Sequence, residues 1–372
     1  MIDKRIHRLP DWPRFHWDQK ALAAPLADIR HRQGRLLGRM EGLGFSLQKE
    51  AELETLTLDV LKSSEIEGEK LNPEQVRSSI ARRLGLETAG TVAAERDVEG
   101  VVEMMLDATQ NFDKPLSDQR LFGWHAALFP TGHSGMRKII VGAWRDDADG
   151  PMQIVSGPVG NERVHYEAPA APLLNDEMSR ILTWANKADD KTDAVLRAAL
   201  AHLWFVTIHP FDDGNGRIAR AIADWQLARS EDSPQRFYSM SAQIRQERSD
   251  YYDVLERTQR GTLEITPWME WFLSCLGRAF DGTETTLAAV LRKARFWEGL
   301  AQVQVQINDR QRAILNRLLD GFEGKLTTKR WATIAKCSHD TALRDIHDLI
   351  ERGILQKDEG GGRSTSYSLK EN

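Results

Sequence analysis

A mostly helical chain, with one small β-hairpin and a separate C-terminal module of helices followed by two strands, is the fold class this sequence predicts. Three observations lead there. Apolar residues recur at helical spacing through most of the chain. One turn-rich stretch, GPVGNE, is flanked by Gln153–Ser156 and Arg163–Tyr166, which read as the strands of a hairpin. Composition then changes at NDRQRAILNRLLDGF, near residue 305. At 372 residues the chain can bury a large core and divide into two or three domains.

Taken in order, the first segment (residues 1–44) is Arg-rich, carries Trp12, Phe15 and Trp17, and reads as helical through WDQKALAAPLADIRHRQGRLLGRM. Nothing in it suggests chemistry. A core over residues 45–280 follows, with helical patterns at Ala51–Leu84 and Val92–Met105. Within the first, LKSSEIEGEK sets Ser63 and Glu67 four apart on one helix face, and Gly68 can end that helix. AVLRAALAHLWFVTIH (Ala194–His209) has few polar interruptions and reads as a buried helix. Pro210 and the Gly214–Gly216 turn break it, and Ile218, Ala221, Ile222 and Trp225 open another helix. SDYYDVLERTQRG offers Tyr251 and Tyr252 on a helix, and Ile265–Phe280 closes the core.

A connecting helix is expected over Thr283–Ala301, within residues 281–304, before the module of residues 305–372. There Ile314, Leu315, Leu318 and Leu319 form an apolar face; a short helix, a turn, a helix capped by Ser338, a strand, a GGG turn and a strand follow. The order resembles a winged helix-turn-helix with Thr341 and Arg344 on the candidate recognition helix. DNA binding does not follow from that order. From Ala301 onward there are 12 Lys and Arg against 10 Asp and Glu, and Asp340, Asp345 and Asp348 would face phosphates. A protein-contact or dimer role fits the module better.

The chemistry concentrates in His209–Arg220, HPFDDGNGRIAR. A Gly-rich turn feeding a helix N-terminus is an anion site, because the first backbone N–H groups lack intrahelical partners and lie at the positive end of the dipole. Glycine lets backbone approach phosphate oxygens closely. Arg217 and Arg220, three apart, can both fork onto those oxygens. Asp213 could hold magnesium bridging phosphates, and His209 is placed at the mouth to take a proton from an attacking hydroxyl at neutral pH.

At these residues the chain resembles the Fic family, whose motif HPFx(D/E)GNGRxxR it matches throughout. The resemblance implies a helical Fic core and transfer of AMP from ATP to a Ser, Thr or Tyr hydroxyl of a target protein, the chain itself included. By position, His209 is the general base and Asp213 the magnesium ligand. Gly214, Asn215, Gly216 and Arg217 cradle the α- and β-phosphates, Ile218 and Ala219 continue the nucleotide segment, and Arg220 holds the γ-phosphate. The phosphoryl-transferring Doc relatives carry Lys in place of Gly216, which disfavours that chemistry here. Ser63, Glu67 and Gly68 resemble the family's inhibitory motif (S/T)xxxE(G/N), in which the glutamate pairs with the second arginine, here Arg220. A hairpin flap is implied at residues 153–166, pairing with an extended target segment, and Tyr252 against the adenine. The N-terminal segment resembles an extension of one bacterial Fic subgroup.

The remaining observations set bounds. A net charge of −5 gives no general affinity for nucleic acid. Two cysteines without metal or disulfide spacing fit a reducing compartment, and with no apolar leader or 18-residue apolar run a soluble cytoplasmic protein is expected. Alternatives are a nucleotide-sensing transcription regulator, for which an intact His209 would be superfluous, and removal of AMP at the same site.

Overall fold

The computed structural model describes residues 5–86, 92–157, 163–187, 191–302, 306–322, 324–358 and 365–370. The chain divides into two compact units, the second beginning, among the described residues, at Thr285. Among the described residues no helix is long and apolar enough to cross a membrane.

The first unit is helical. α1 (Gln19–Glu41) starts at Asp18, whose carboxylate caps the Lys20 and Ala21 N–H groups. The helical stretch read at Ala51–Leu84 is broken near Gly68, the residue able to end its first helix, into α2 (Phe45–Ile66) and α3 (Pro73–Arg83). The break has local causes. Gly68 takes φ +89°, and the Gly68 and Glu69 N–H groups donate to the Glu65 and Ser64 carbonyls, closing α2 in a Schellman turn. Asn72 then caps α3, with Pro73 at its first position.

α4 (Arg96–Gln110) packs on α5 (Asp118–Leu128) so closely that a Cβ on Gly100 would meet the Ala127 carbonyl oxygen at 1.7 Å. Only glycine fits there. Two short strands, β1 (His133–Ser134) and β2 (Arg137–Lys138), pair antiparallel, and so do β3 (Gln153–Ser156) and β4 (Arg163–Glu167). The second pair is the hairpin expected from sequence; its turn, beyond Gly157, lies outside the described residues.

α6 (Leu174–Asn186) leads to the central pair, α7 (Ala194–Ile208) and α8 (Asn215–Glu231). Every α7 residue from Val195 to Ile208 is buried, and so is α8 from Arg217 to Ala228. Alanines Ala219, Ala221, Ala223 and Ala228 leave room for α8 to lie against α7 and α4. α9 (Met240–Gln246) packs on α2, and α10 (Arg248–Gln259) follows. α11 then runs unbroken from Thr266 to Gln302. The sequence reading divided it into a closing and a connecting helix, but no proline intervenes and Gly282 alone costs only about 1 kcal/mol in a helix.

The second unit comprises the end of α11, then α12 (Asp309–Leu319), β5 (Leu326–Thr327), α13 (Thr328–Ile334), α14 (His339–Glu351), β6 (Leu355–Lys357) and β7 (Ser366–Leu369), with an antiparallel sheet ordered β5-β7-β6. Trp331, Ile346 and Leu349 center its core, and Ser338 caps α14 through the Thr341 N–H. The Gly-rich turn between β6 and β7 lies outside the described residues.

One sequence expectation fails here. Asp345 does not face outward: it is buried, held by Arg310 at 2.8 and 3.0 Å and by Asn308. Asp348 accepts from Gln311 and Arg352. A buried carboxylate needs such partners, so Asp345 serves packing against α12, while Asp348 is partly exposed and Asp340 lies on the surface.

Candidate active site

The site grows from the end of α7. His209 caps that helix in the left-handed region, at φ 52°, which a non-glycine residue seldom adopts. Its N–H still donates to Phe205 O, while Nδ1 lies 3.2 Å from Val206 O. A carbonyl can only accept, so Nδ1 carries the proton and Nε2 keeps its lone pair. Burial pushes the imidazole down to about 4; the Val206 carbonyl, Glu67 and Asp213 pull it up, and Arg145 lowers it further. At neutral pH the ring is uncharged, a state able to accept a proton.

The turn that follows is braced on all sides. Phe211 is fully buried and stacks on His125 with centroids 4.2 Å apart. The Asn215 side chain bridges the Phe211 peptide, accepting from its N–H at 3.0 Å and donating to its carbonyl at 2.8 Å. Asp213 accepts from the Gly214 N–H at 2.6 Å and from the Ser134 hydroxyl. Gly214 has φ +78°, and a Cβ there would meet Phe129 at 2.9 Å. α8 thus begins without a side-chain cap from its N-cap residue.

The expected cradle residues divide into two groups. Gly216, Arg217 and Arg220 gather at the start of α8 with Glu67 and Ser63 (below). Ile218 and Ala219 are fully buried, so their side chains pack α8 and do not line the site, and the Asn215 side chain is spent on holding the turn. Helical geometry explains the split: positions 217 and 220 share a face that 218 and 219 cannot.

The end of α2 covers that face. Arg220, itself buried, donates from Nε to Ser63 Oγ at 2.9 Å and from Nη2 to Ser63 O at 2.8 Å; its Nη1 lies 2.8 Å from Glu67 Oε1. The Schellman turn aims Glu67 so closely at α8 that a Cβ on Gly216 would stand 2.1 Å from Oε1. Glycine at 216 therefore serves the carboxylate as well as any ligand. Glu69, one residue past the expected motif, pairs with Arg217 Nη1 at 2.6 Å. Burial raises the Glu69 carboxyl against the pull of Arg217, helped by Asp213, Glu67 and Asp97. The same turn thus delivers two carboxylates to two arginines, and Arg217 Nε stays buried without a hydrogen-bond partner among the described residues.

Tyr251 and Tyr252 part company. Tyr251 is core, its hydroxyl 2.9 Å from His202 Nε2. Tyr252 is half-buried, with the Arg248 guanidinium 4.9 Å from its ring centroid; Arg248 in turn donates to Ile66 O at 2.8 Å, next to Glu67. β4 is pinned to α10 through Glu256, which meets His165 Nδ1 at 2.6 Å and Arg163 at 3.0 Å. Sequence reasoning missed Glu69, Ser134, Arg145 and Arg248. They belong to no local pattern, since each acts on residues far away in the chain.

Comparison with known proteins agrees with this geometry. Residues 115–227 match the Fic/DOC family, and residues 6–86 match a domain of unknown function (DUF4172). A protein adenylyltransferase Fic of Nematostella vectensis is 34% identical over 116 residues, 30% of this chain and 25% of that protein. A uridine 5'-monophosphate transferase of Xanthomonas campestris is 30% identical over 129 residues, 31% of this chain and 21% of that protein. The aligned part is thus a quarter or less of these relatives. Among solved structures, a Fic domain containing signaling protein of Bacteroides thetaiotaomicron superposes with TM-score 0.52 at 20% identity, over 71% of this chain and 97% of that one, a likeness of fold. The chain thus carries a Fic domain over residues 115–227, which hold α7, the turn and most of α8.

Proposed function

We propose that this chain is a protein adenylyltransferase that moves AMP from ATP to Ser, Thr or Tyr hydroxyls of target proteins, held down by Glu67. The observation that carries this reading is the seat of the Glu67 carboxylate, against Gly216 and 2.8 Å from Arg220. It occupies the place where a helix N-terminus and two arginines would take a phosphate. His209, neutral with Nε2 free, is the base for the attacking hydroxyl. Gly214, Asn215, Gly216 and Arg217 would hold the α- and β-phosphates, through backbone N–H groups where the side chain is absent or engaged. Arg220 would hold the γ-phosphate once Glu67 leaves, and Tyr252 the adenine.

Asp213 fits magnesium: it is one half-buried carboxylate beside the phosphate site, and each oxygen keeps a lone pair beyond its bond to Gly214 or Ser134. Bound there, the ion would neutralise phosphate charge. The β3–β4 hairpin would dock an extended target segment, and the second unit, read as a winged-helix-like module, would contact protein, a second copy of the chain included. The reaction is assigned to the cytoplasm, in keeping with free Cys275 and Cys337.

The test is incubation of the Glu67→Gly chain with labelled ATP and cell lysate, followed by mass spectrometry, with labelled UTP, CTP and GTP in parallel. ATP-dependent labelling should rise on the order of tenfold or more over the parent, within the range of coupling energies between linked sites, and the double change Glu67→Gly with Arg220→Ala should be nearly inactive. Equal rates for parent and Glu67→Gly across ATP concentrations would remove the inhibitory role. Labelling from UTP alone would move the assignment to uridylyl transfer, the activity for which the Xanthomonas relative is named.

A further inference from the structure

Arg145 belongs to no motif, yet it meets the chain where His209 leaves α7. Its side chain is wholly buried. Nε donates to His209 O at 2.8 Å, and its own backbone N–H donates to Pro210 O at 2.9 Å. The two carbonyls that follow α7 are therefore both satisfied by one residue. Nη2 donates to Pro169 O at 2.6 Å, and Nη1 meets Asp147 Oδ1 at 3.0 Å. Asp147 in turn accepts from the Ala171 N–H at 2.7 Å. Pro169 and Ala171 lie just past β4, whose first following residue, Ala168, donates to Met152 O at the root of β3.

A buried guanidinium is costly unless its donors are met. Here they are met by acceptors from three segments, which only a planar fork can span. The strained left-handed turn at His209 needs such outside support, because a residue held in that region persists only where its surroundings over-determine it. We propose that Arg145 is a positioning residue for His209: it clamps the turn so that Nε2 stays at the mouth of α8, and it ties that placement to the base of the β3–β4 hairpin. A displacement of the hairpin root is thereby passed to the imidazole through one side chain. The inference rests on the reading of His209 as the base.

The test uses the full chain in the Glu67→Gly form, with Arg145→Lys, Arg145→Ala and His209→Ala added singly and Arg145→Lys combined with His209→Ala. Self-labelling is followed against ATP concentration. A lysine can reach one carbonyl but not all three segments, so the saturating rate should fall about 10- to 100-fold, the cost of a misplaced reacting group. The half-saturating ATP concentration should stay within about twofold, and the loss should vanish when His209 is already alanine. A retained rate in Arg145→Lys, a loss expressed only as weaker ATP dependence, or a loss that multiplies with that of His209→Ala would overturn the proposal. Because Arg145→Ala can fail to fold, Arg145→Lys carries the comparison. The ¹⁵N resonances of the His209 ring supply a readout without turnover: one Nδ1–H tautomer in the parent and averaged tautomers in Arg145→Lys. An unchanged spectrum overturns the clamp. Absence of labelling in Glu67→Gly itself, with the tautomer shift present, would strike the transferase reading and leave the clamp standing.

Discussion

Two helix starts in this molecule are built in opposite ways. α14 begins at Ser338, whose hydroxyl accepts from the Thr341 N–H, and Asp340 adds an acidic group in the first turn. Such a start meets its own orphan donors and offsets its dipole. α8 begins at Gly214, without a side-chain cap and without an acidic residue in its first turn, and carries Arg217 and Arg220 on one face. The anion that this second start calls for comes from elsewhere in the chain, as the Glu67 and Glu69 carboxylates. A capped start is finished by its own sequence; an uncapped one with two buried arginines is completed only by a partner, which can be exchanged.

The comparison can be tested from its strongest side. Removing the proposed base, His209→Ala in the Glu67→Gly chain, should cut transfer by about a hundredfold or more, as expected for a positioned general base. ATP affinity, measured by calorimetry, should be nearly unchanged, since the arginines and the α8 start remain. Parallel loss of affinity and rate would mean that the ring belongs to the binding surface. A smaller effect is expected at the second carboxylate. Glu69 is nearly half-exposed, so its pair with Arg217 is worth little. Glu69→Gln should raise labelling only about 1.5- to 5-fold over the parent, and a rise matching that of Glu67→Gly would make the two carboxylates equal locks. At the far end of the scale, truncation after Glu284 should leave the labelling rate within about twofold, because all motif residues lie in the first unit. Oligomeric state, read by light scattering, should change. A folded but inactive truncation would show that the second unit completes the site.

How much was legible in advance differs along the same line. The α7–turn–α8 segment could be read because its signals are adjacent in sequence: an apolar run, Pro210, two glycines and arginines three apart. The hairpin, the Ser338 cap and the break after Gly68 are local in the same sense, and they appear where expected. The length of α11 is not legible in this way: the closing and connecting helices expected from sequence are one helix, with no proline between them to enforce a boundary. Ile218 and Ala219 sit inside the motif yet face the core, since contiguity in sequence is not a shared face on a helix.

By itself, then, the sequence determined the α7–turn–α8 segment, because turn and helix starts depend on residues a few positions apart and their spacing survives in any fold that forms them. Tertiary structure alone decided what each charged group meets. Arg217 finds Glu69, 148 residues away, and Arg145 reaches His209 across 64. Asp345 is turned onto Arg310, and so is lost to the surface where a charge count had placed it. The physical reason is common to all three. A buried charge must be matched by whichever partner packing brings within hydrogen-bond reach, and that partner is chosen by the arrangement of helices, which no local pattern records.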